Sequence, residues 1–329
     1  MKHILKGARA YVALIAALMA IVIILFFSIP AFVIWEANHP AKNDAFPVTV
    51  HPKEKTITED PAVNLQLSVK NSSLAGAVSL AGDVLNYIAS AISQTPWYEA
   101  LAAADTRIVI IDPGYRKEQA ALAFGKALSW DKSQQKSFLT TTESWPPKLT
   151  EGQYAPGAYV VASGMPVAEV QKAIYDRFTN AIASRYTPAT EKEVPLSEAL
   201  TIASMIERET NDKEEMRIIS GIMWNRIFNG MKLQIDATLQ YAKADGTHGW
   251  WPQLRSADKY IDSPYNTYLN VGLPPAPISN PSVAAVLATL NPKNTDCLFY
   301  FHDRNGDFHC TNTYEEHVKL LKKYYGQGK

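Results

Sequence analysis

An uncharged apolar run near the N-terminus places the strongest constraint on how this chain can fold. The run YVALIAALMAIVIILFFSIPAFVIW extends from Tyr11 to Trp35 and follows a segment that carries Lys2, Lys6 and Arg9 without an acidic residue. About 20 such residues are enough to cross a bilayer as a helix. A cleaved signal peptide is the competing interpretation, but its apolar core has only about 7–15 residues. We therefore predict a single transmembrane helix at 11–35.

The basic flank predicts how this helix is oriented. Lysines and arginines beside a membrane span are retained on the cytoplasmic side. We therefore expect residues 1–10 in the cytoplasm and residues 36–329 on the outer, periplasmic or extracytoplasmic side of the inner membrane.

Composition excludes several classes of function. The chain has 329 residues, of which 47% are apolar, with 32 basic and 32 acidic side chains. This length supports two domains with apolar cores. Balanced charge without a basic cluster argues against nucleic acid as the main partner. The histidines lack a two-ligand helical spacing and no phosphate-binding glycine loop occurs, so we expect neither a metal nor an organic cofactor.

The pattern beyond the apolar run predicts an α+β fold in two lobes. The polar, proline-containing residues 36–62 are typical of a stalk. Residues 63–194 indicate a small α/β lobe, in which 187–194 form the boundary, and residues 195–329 a second, catalytic lobe. Periodicity predicts a buried strand and two long helices in the first lobe, at 106–112, 116–130 and 166–186.

Two glutamates in the stretch TIASMIERET (Thr201–Thr210) are the candidates for chemistry. On a helical wheel, Glu207 lies within an apolar arc, whereas Glu209 points to roughly the opposite face. A carboxyl group on an apolar face has a raised pKa, as a general acid requires. The alternative for Glu207 is a structural carboxylate paired with an arginine such as Arg226. Glu209 is predicted to be solvated or locally ion-paired.

Carbohydrate chemistry suits a site with so few acids. A glycoside hydrolase uses two carboxyl groups, and Asp236 is the nearby candidate for the second. In a one-acid alternative, a hydroxyl group of the sugar itself attacks, and no water is consumed. The aromatic and amide side chains of HGWWPQ (248–253) and SPYNTY (263–268) predict a long sugar-binding groove.

The two cysteines are predicted to be free thiols. The segment LFYFHDRNGDFHC indicates a hairpin that turns at Asn305-Gly306. With a two-residue turn, Cys310 would oppose Phe301, and Cys297 would lie about 13 Å farther along the strand. A disulfide requires Cα atoms within roughly 7 Å. A shifted strand register is the alternative.

Several blocks of sequence resemble one known family. ASMIERET, MWNRIFNGMKLQIDATLQYA, SPYNTYLNVGLPPAPISNPS and TYEEH, in this order, resemble the YceG-like endolytic murein transglycosylases, the MltG family. The resemblance covers Leu196–Tyr324, and the stretch from Thr106 resembles the strand, turn and helix of the family. The family usually carries a LysM-like subdomain ahead of these blocks, which implies a degenerate LysM-like lobe in this chain.

The resemblance implies a membrane-anchored enzyme that cuts peptidoglycan glycan strands internally, between N-acetylmuramic acid and N-acetylglucosamine. Such cleavage leaves a 1,6-anhydromuramoyl end and needs no cofactor. By the resemblance, the catalytic acid is Glu207, the first glutamate of the ASxxExET block. The implied substrate-binding residues are Asn225, Arg226, Gln234, Asp236, Thr238, Tyr265, Asn266 and Tyr268.

The chain departs from the family pattern at several loop positions. Ala237 stands where the family favours proline, Ser282 where glycine is common, and Cys310 where phenylalanine is frequent. The expected partners are peptidoglycan glycan strands and the membrane, with peptidoglycan synthases as a further candidate. An alternative function is a glycan-binding scaffold of the cell-wall machinery with weak or no turnover.

Overall fold

The computed structural model describes residues 17, 19–20, 45–61, 63–64, 106–140, 147–247 and 249–326. Across these ranges the chain has a mixed α+β architecture of nine helices and three two-stranded antiparallel sheets, which confirms the predicted fold class. The predicted transmembrane helix at 11–35 and most of the segment expected to be LysM-like lie outside the described residues. Within the described part of the chain, no helix is long and apolar enough to span a membrane.

Residues 45–61, which belong to the predicted stalk, pack onto the second lobe. The strands β1 (Val50–His51) and β2 (Thr56–Ile57) of this segment form a small hairpin. Phe46 and Val50 are buried in the core of that lobe. Asn291 donates a hydrogen bond from Nδ2 to the carbonyl oxygen of Pro47 at 2.8 Å. Phe46 and Val50, together with the partly buried Val48 and Ile57, explain why residues 46–57 are docked rather than extended.

The small lobe is built on strand β3 (Thr106–Ile111), which pairs antiparallel with β4 (Gly157–Ala162). Helices α1 (Lys117–Leu128) and α2 (Lys132–Thr140) connect the strands, and α3 (Val167–Ala181) follows them. The predicted strand and the two long helices of this lobe are therefore confirmed. Its core is rich in contacting aromatic rings: Phe124, Trp130, Phe138, Tyr154 and Tyr159.

The predicted boundary between the lobes is itself a helix. Helix α4 (Pro188–Glu193) begins after Thr187, whose hydroxyl oxygen accepts a hydrogen bond from the backbone N–H of Thr190. Proline at the first helical position and a capping threonine both favour a helix start. Val194 then inserts into the core of the second lobe.

The second lobe is organised around one buried helix. Helices α5 (Leu196–Glu209) and α6 (Lys213–Phe228) are joined by a short turn, in which the Asp212 carboxylate caps α6. Every residue of α5 from Ala199 to Ile206 is buried. Helix α5 packs against α6 and against α7 (Asp236–Lys243) and α8 (Val283–Leu290).

A hairpin and a final helix complete this lobe and overturn the prediction about the cysteines. Strand β5 (Phe299–His302) pairs with β6 (Phe308–Thr311), and helix α9 (Tyr314–Tyr325) follows. Cys297 and Cys310 form a disulfide with their Cα atoms 5.8 Å apart.

The predicted pair of free thiols is wrong for two reasons. First, the hairpin loop has five residues, 303–307, so Cys310 pairs with Tyr300 instead of Phe301. Second, β5 begins only at Phe299, so Cys297 does not continue the straight strand that the prediction assumed.

Candidate active site

A polar groove of about 440 Å³ opens on the second lobe. It lies where the C-terminus of α5, the N-terminus of α7, the β5–β6 hairpin and the start of α9 meet. Acids, tyrosines and other aromatic rings predominate among its lining residues, which are Glu209, Arg226, Leu233, Gln234, Asp236, Lys259, Tyr268, Phe299, Tyr300, Phe301, His302, Tyr314 and His317.

Glu209, the last residue of α5, is the partly buried acid of this groove. Its Oε2 atom accepts a hydrogen bond from the Tyr300 hydroxyl at 2.8 Å. Burial raises the pKa of Glu209, the Tyr300 hydrogen bond opposes that rise, and the negative charge of Asp236 adds to it. The carboxyl group is therefore biased toward its protonated form relative to an ordinary glutamate.

The prediction that Glu209 is solvated or ion-paired is therefore wrong. It assumed that α5 has one apolar and one wet face. Met205, which the wheel puts on the same side as Glu209, is fully buried, because α5 is surrounded by other helices. Glu207 and Glu209, on opposite sides of the end of this helix, are therefore both partly buried.

Glu207, the predicted catalytic residue, points to a different part of the lobe. Its Oε2 accepts hydrogen bonds from the backbone N–H of Ser282 at 2.8 Å and from the Ser282 hydroxyl at 2.6 Å. Ser282 is the N-cap of α8. Burial raises the pKa of Glu207, and the two bonds from Ser282 oppose that rise. Glu207 is not among the residues that line the groove.

Four of the predicted substrate-binding residues line the groove with Glu209: Arg226, Gln234, Asp236 and Tyr268. Asp236, the first residue of α7, accepts a hydrogen bond at Oδ1 from the Tyr268 hydroxyl at 2.6 Å. Burial and Asp236 raise the pKa of Tyr268, so this phenol remains a donor at neutral pH. Gln234 lies next to them with a backbone φ of 56°, a conformation that side chains other than glycine rarely adopt. Strained backbone of this kind is frequent at functional sites.

Arg226 connects two segments that line the groove. Its guanidinium group is buried and donates hydrogen bonds to the carbonyl oxygens of Leu298 at 2.6 Å and Leu233 at 2.7 Å. It also donates to Oε1 of Gln234 at 3.3 Å. Arg226 thus connects the hairpin to the strained backbone at Gln234. Its partners are carbonyl and amide oxygens, so it does not form the ion pair with Glu207 that was considered as the alternative.

The other predicted substrate-binding residues support the groove from outside. Asn225 donates from Nδ2 to the carbonyl oxygens of Thr295 and Cys297, at 2.6 and 3.3 Å. Asn266 is fully buried and donates to the carbonyl oxygens of residues 259 and 261. Both side chains shape loops that lead into the groove.

Thr238 and Tyr265 have the same supporting role. The Thr238 hydroxyl is buried and lies 2.9 Å from that of Thr267. The ring of Tyr265 packs on the ring of Tyr241, with centroids 4.8 Å apart. Neither residue lines the groove.

The tryptophans that were predicted to face sugars bridge the two lobes instead. Trp251 donates from its indole nitrogen to Gln119 of the small lobe at 3.1 Å, and the Arg208 guanidinium lies over its ring. Trp250 lies below the guanidinium of Arg116, also in the small lobe. These rings stabilise the contact between lobes.

Three groove residues from the hairpin and α9 were not predicted to belong to the site. Tyr300, Tyr314 and His317 all line the groove, although they lie about a hundred residues from Glu209 along the chain. The stretch TYEEH contains Tyr314 and His317 three residues apart. That spacing puts both side chains on one face of a helix. It was the feature of the sequence from which a shared binding surface could have been predicted.

The groove contains no cluster of metal-binding type. Among the described residues, His51, Glu54 and Glu193 are the one group whose ligand atoms all lie within 4.8 Å of one another. They belong to the β1–β2 hairpin and the end of α4, and none of them lines the groove.

Comparisons with known proteins agree with the resemblance in sequence. The model of the YceG-like family matches residues 81–323. An endolytic murein transglycosylase of Bacillus subtilis is 38% identical over 147 residues, which are 44% of this chain and 40% of that protein. A protein of the same name in Streptococcus pneumoniae is 30% identical over 176 residues, which are 53% of this chain and 32% of that protein.

A solved structure supports the fold. The crystal structure of a protein from Listeria monocytogenes described as YceG-like has a TM-score of 0.58 to this chain at 26% identity. The match covers 67% of this chain and 76% of the other. By contrast, the matches to the curated relatives span less than half of their length.

Proposed function

The chain belongs to the YceG-like family, and we propose that it is an endolytic lytic transglycosylase of peptidoglycan. It cleaves the bond between N-acetylmuramic acid and N-acetylglucosamine within glycan strands. The products end in 1,6-anhydromuramic acid. The names of the relatives from Bacillus subtilis and Streptococcus pneumoniae support this substrate class.

One observation carries the proposal: a carboxyl group with a raised pKa, Glu209, lies in a polar groove with one oxygen held by Tyr300. A raised pKa lets a glutamate carry a proton near neutral pH, as a general acid must. Within the described residues, the other oxygen, Oε1, accepts no hydrogen bond. It is the oxygen that can meet the substrate.

In the reaction that we propose, Glu209 donates its proton to the glycosidic oxygen as the bond from that oxygen to C1 of the muramoyl residue breaks. The Glu209 carboxylate then removes the proton of the muramoyl 6-hydroxyl, whose oxygen forms the new bond to C1. The residue ends the cycle protonated, and no water is consumed. One acid is enough for both steps.

Asp236 and Tyr268, which line the same groove, assist this chemistry. The negative charge of Asp236 helps to keep Glu209 protonated before cleavage. Positive charge develops at C1 in the transition state of glycosidic cleavage, and a carboxylate in the same groove stabilises it. Tyr268 holds the Asp236 carboxyl group through the 2.6 Å hydrogen bond.

Glu207 is the competing candidate for the acid, as the family resemblance suggests. Its pKa is also raised. However, both of its hydrogen bonds come from Ser282 at the cap of α8, and it does not line the groove. This geometry favours a structural role for Glu207 and the catalytic role for Glu209.

Mass spectrometry of glycan products tests the proposal. The full chain, in detergent, is incubated with peptidoglycan beside its Glu209→Gln and Glu207→Gln variants, whose folding is checked by circular dichroism. We expect internal fragments with anhydromuramoyl ends from the wild type and from Glu207→Gln, and none from Glu209→Gln. Loss of cleavage in Glu207→Gln alone would identify Glu207 as the acid. Intact glycan in every sample, with binding retained, would favour the scaffold function.

A two-acid hydrolase is a second candidate, because Glu209 and Asp236 line the same groove and interact electrostatically. In such an enzyme one carboxyl group would protonate the leaving oxygen, and the other would act as the base that activates water or as the nucleophile. Its products would have reducing ends that contain oxygen from water. The same mass spectra distinguish it, since anhydro ends would exclude it.

We also propose that residues 11–35 form a membrane anchor. The proposal further includes a LysM-like character of the first lobe and an association of the protein with peptidoglycan synthases. The uncharged run of 25 residues supports the anchor. Carbonate extraction of membranes tests it: the full chain should remain in the pellet, and a variant that lacks residues 1–35 should be released.

A further inference from the structure

The mouth of the groove carries an exposed aromatic ring that the proposed reaction does not use. Tyr314, the first residue of α9, lines the groove, yet 61% of its surface is exposed. Its ring lies against the ring of Phe299, with centroids 5.8 Å apart. A large aromatic side chain costs free energy when it is left in water, so a supported but uncovered ring in a groove points to a ligand.

His317, one helical turn along α9, supplies a second and independent observation. Its Nδ1 is buried, and within the described part of the chain neither ring nitrogen has a hydrogen-bond partner. Burial lowers the pKa of His317, and the nearby positive charge of Arg226 lowers it further. The imidazole is therefore biased toward its neutral form at pH 7.

The surroundings of His317 also select its tautomer. A proton on Nδ1 would be a buried N–H group without an acceptor, which is rare in folded proteins because of its cost. The proton is therefore favoured on Nε2. His317 lines the groove between Phe299 and Phe301, with ring centroids 5.5 and 5.6 Å away. It presents a hydrogen-bond donor for which the described chain supplies no acceptor.

We propose that Tyr314 and His317 form a sugar subsite of the groove, in which the Tyr314 ring stacks on the face of a pyranose and His317 donates a hydrogen bond to an oxygen of the same glycan. This inference rests on the proposed function, since it takes the ligand to be a strand of amino sugars. The apolar C–H face of a pyranose suits an exposed aromatic ring, and its hydroxyl and acetamido oxygens suit a neutral imidazole donor.

Binding of a tetrasaccharide of alternating N-acetylglucosamine and N-acetylmuramic acid tests the subsite. The full chain is used in the Glu209→Gln background, so that no cleavage occurs during calorimetry. Tyr314→Ala should weaken binding about 3- to 10-fold, which is the range for one aromatic contact. Tyr314→Phe keeps the ring and should stay within about 2-fold.

A matched control and a second variant distinguish loss of the subsite from the effect of substituting any exposed tyrosine. Tyr260 is 79% exposed and does not line the groove, so Tyr260→Ala should bind like the parent. His317→Phe keeps a flat ring but removes the donor, and should also weaken binding several-fold. Unchanged affinity in Tyr314→Ala, an equal loss in Tyr260→Ala, or no binding by the parent would overturn the subsite.

The outcomes also separate this inference from the proposed function. Binding that depends on Tyr314, with no anhydro products from the wild type, would keep the subsite and overturn the transglycosylase. Anhydro products from the wild type, with the same KM in Tyr314→Ala, would keep the enzyme and overturn the subsite.

Discussion

The Tyr300 hydroxyl donates a hydrogen bond to Oε2 of Glu209 over 2.8 Å and so joins the β5–β6 hairpin to the last residue of α5. The carboxyl group of the proposed acid is therefore oriented by an element about ninety residues away in sequence. Burial raises the pKa of Tyr300 well above its usual value, so the phenol donates across the physiological range. The position of the hairpin thus controls both the orientation and the protonation of Glu209.

Tyr300→Phe should change the pH dependence of cleavage. A hydrogen bond to a carboxylate stabilises its charged form, and its loss raises the pKa of Glu209 further. Because a general acid must start protonated, the rate falls as pH rises through that pKa. We therefore expect the high-pH limb of kcat/KM to move to higher pH in Tyr300→Phe, with a lower maximum rate because the carboxyl group is less well held. An unshifted limb in the pH–rate profile would contradict this role of Tyr300.

Ser282→Ala should reduce stability while most activity is retained. The substitution removes the hydroxyl that caps α8 and one of the two hydrogen bonds to Glu207. The loss of an N-cap costs about 1 kcal/mol, so we expect a loss of about 1–2 kcal/mol in the free energy of unfolding in urea. The backbone N–H of residue 282 still binds Glu207 in this variant. A loss of cleavage as complete as that expected for Glu209→Gln would return the catalytic role to Glu207.

The sequence predicted local elements well, because their signals are local. The strand at β3 and the helices α1, α3 and α5 follow from hydrophobic periodicity. The groove was predicted in part. Arg226, Gln234, Asp236 and Tyr268 belong to blocks close to one another in the chain, and they do line it.

The sequence failed where the outcome depends on tertiary packing. A helical wheel describes one helix and contains no information on the neighbours that bury the opposite face of α5, so it assigned Glu209 to solvent. The contribution of Tyr300 and Tyr314 depends on how the hairpin folds back onto α5. The disulfide depends on a loop of five residues whose Asp303 carboxylate binds the backbone N–H groups of Asn305 and Asp307.

Reduction of the Cys297–Cys310 disulfide should destabilise the hairpin side of the groove. The bond joins residues 13 apart in sequence, and closing a loop of about this length stabilises a fold by about 3 kcal/mol. We expect a lower melting temperature and a lower cleavage rate in dithiothreitol. The double variant Cys297→Ser, Cys310→Ser should resemble the reduced protein and be insensitive to dithiothreitol. Equal melting temperatures of the oxidised and reduced wild type would contradict a stabilising role.

Glu151 should make the stability of the fold depend on pH. It is 5% exposed, and its Oε1 accepts hydrogen bonds from the backbone N–H of Lys117 and from Asn280 in the second lobe. Burial, with a smaller contribution from Glu118, raises its pKa from 4.5 to about 8. Within the described chain, its Oε2 is buried without a partner, which suits a protonated carboxyl group better than a charged one.

The sign of this dependence follows from the proton count. Below pH 4.5 the Glu151 carboxyl group is protonated in both the folded and the unfolded chain, and its contribution to stability is fully present. Between pH 4.5 and about 8 only the folded chain holds the proton, so stability falls as pH rises, by at most about 1.4 kcal/mol per pH unit. Glu151→Gln stays neutral throughout and should lose this slope. Urea unfolding of both proteins from pH 5 to pH 8 measures it, because the other titrating groups contribute alike and cancel in the difference. If the free energies of unfolding of the two proteins ran parallel with pH, Glu151 would be charged in the folded protein.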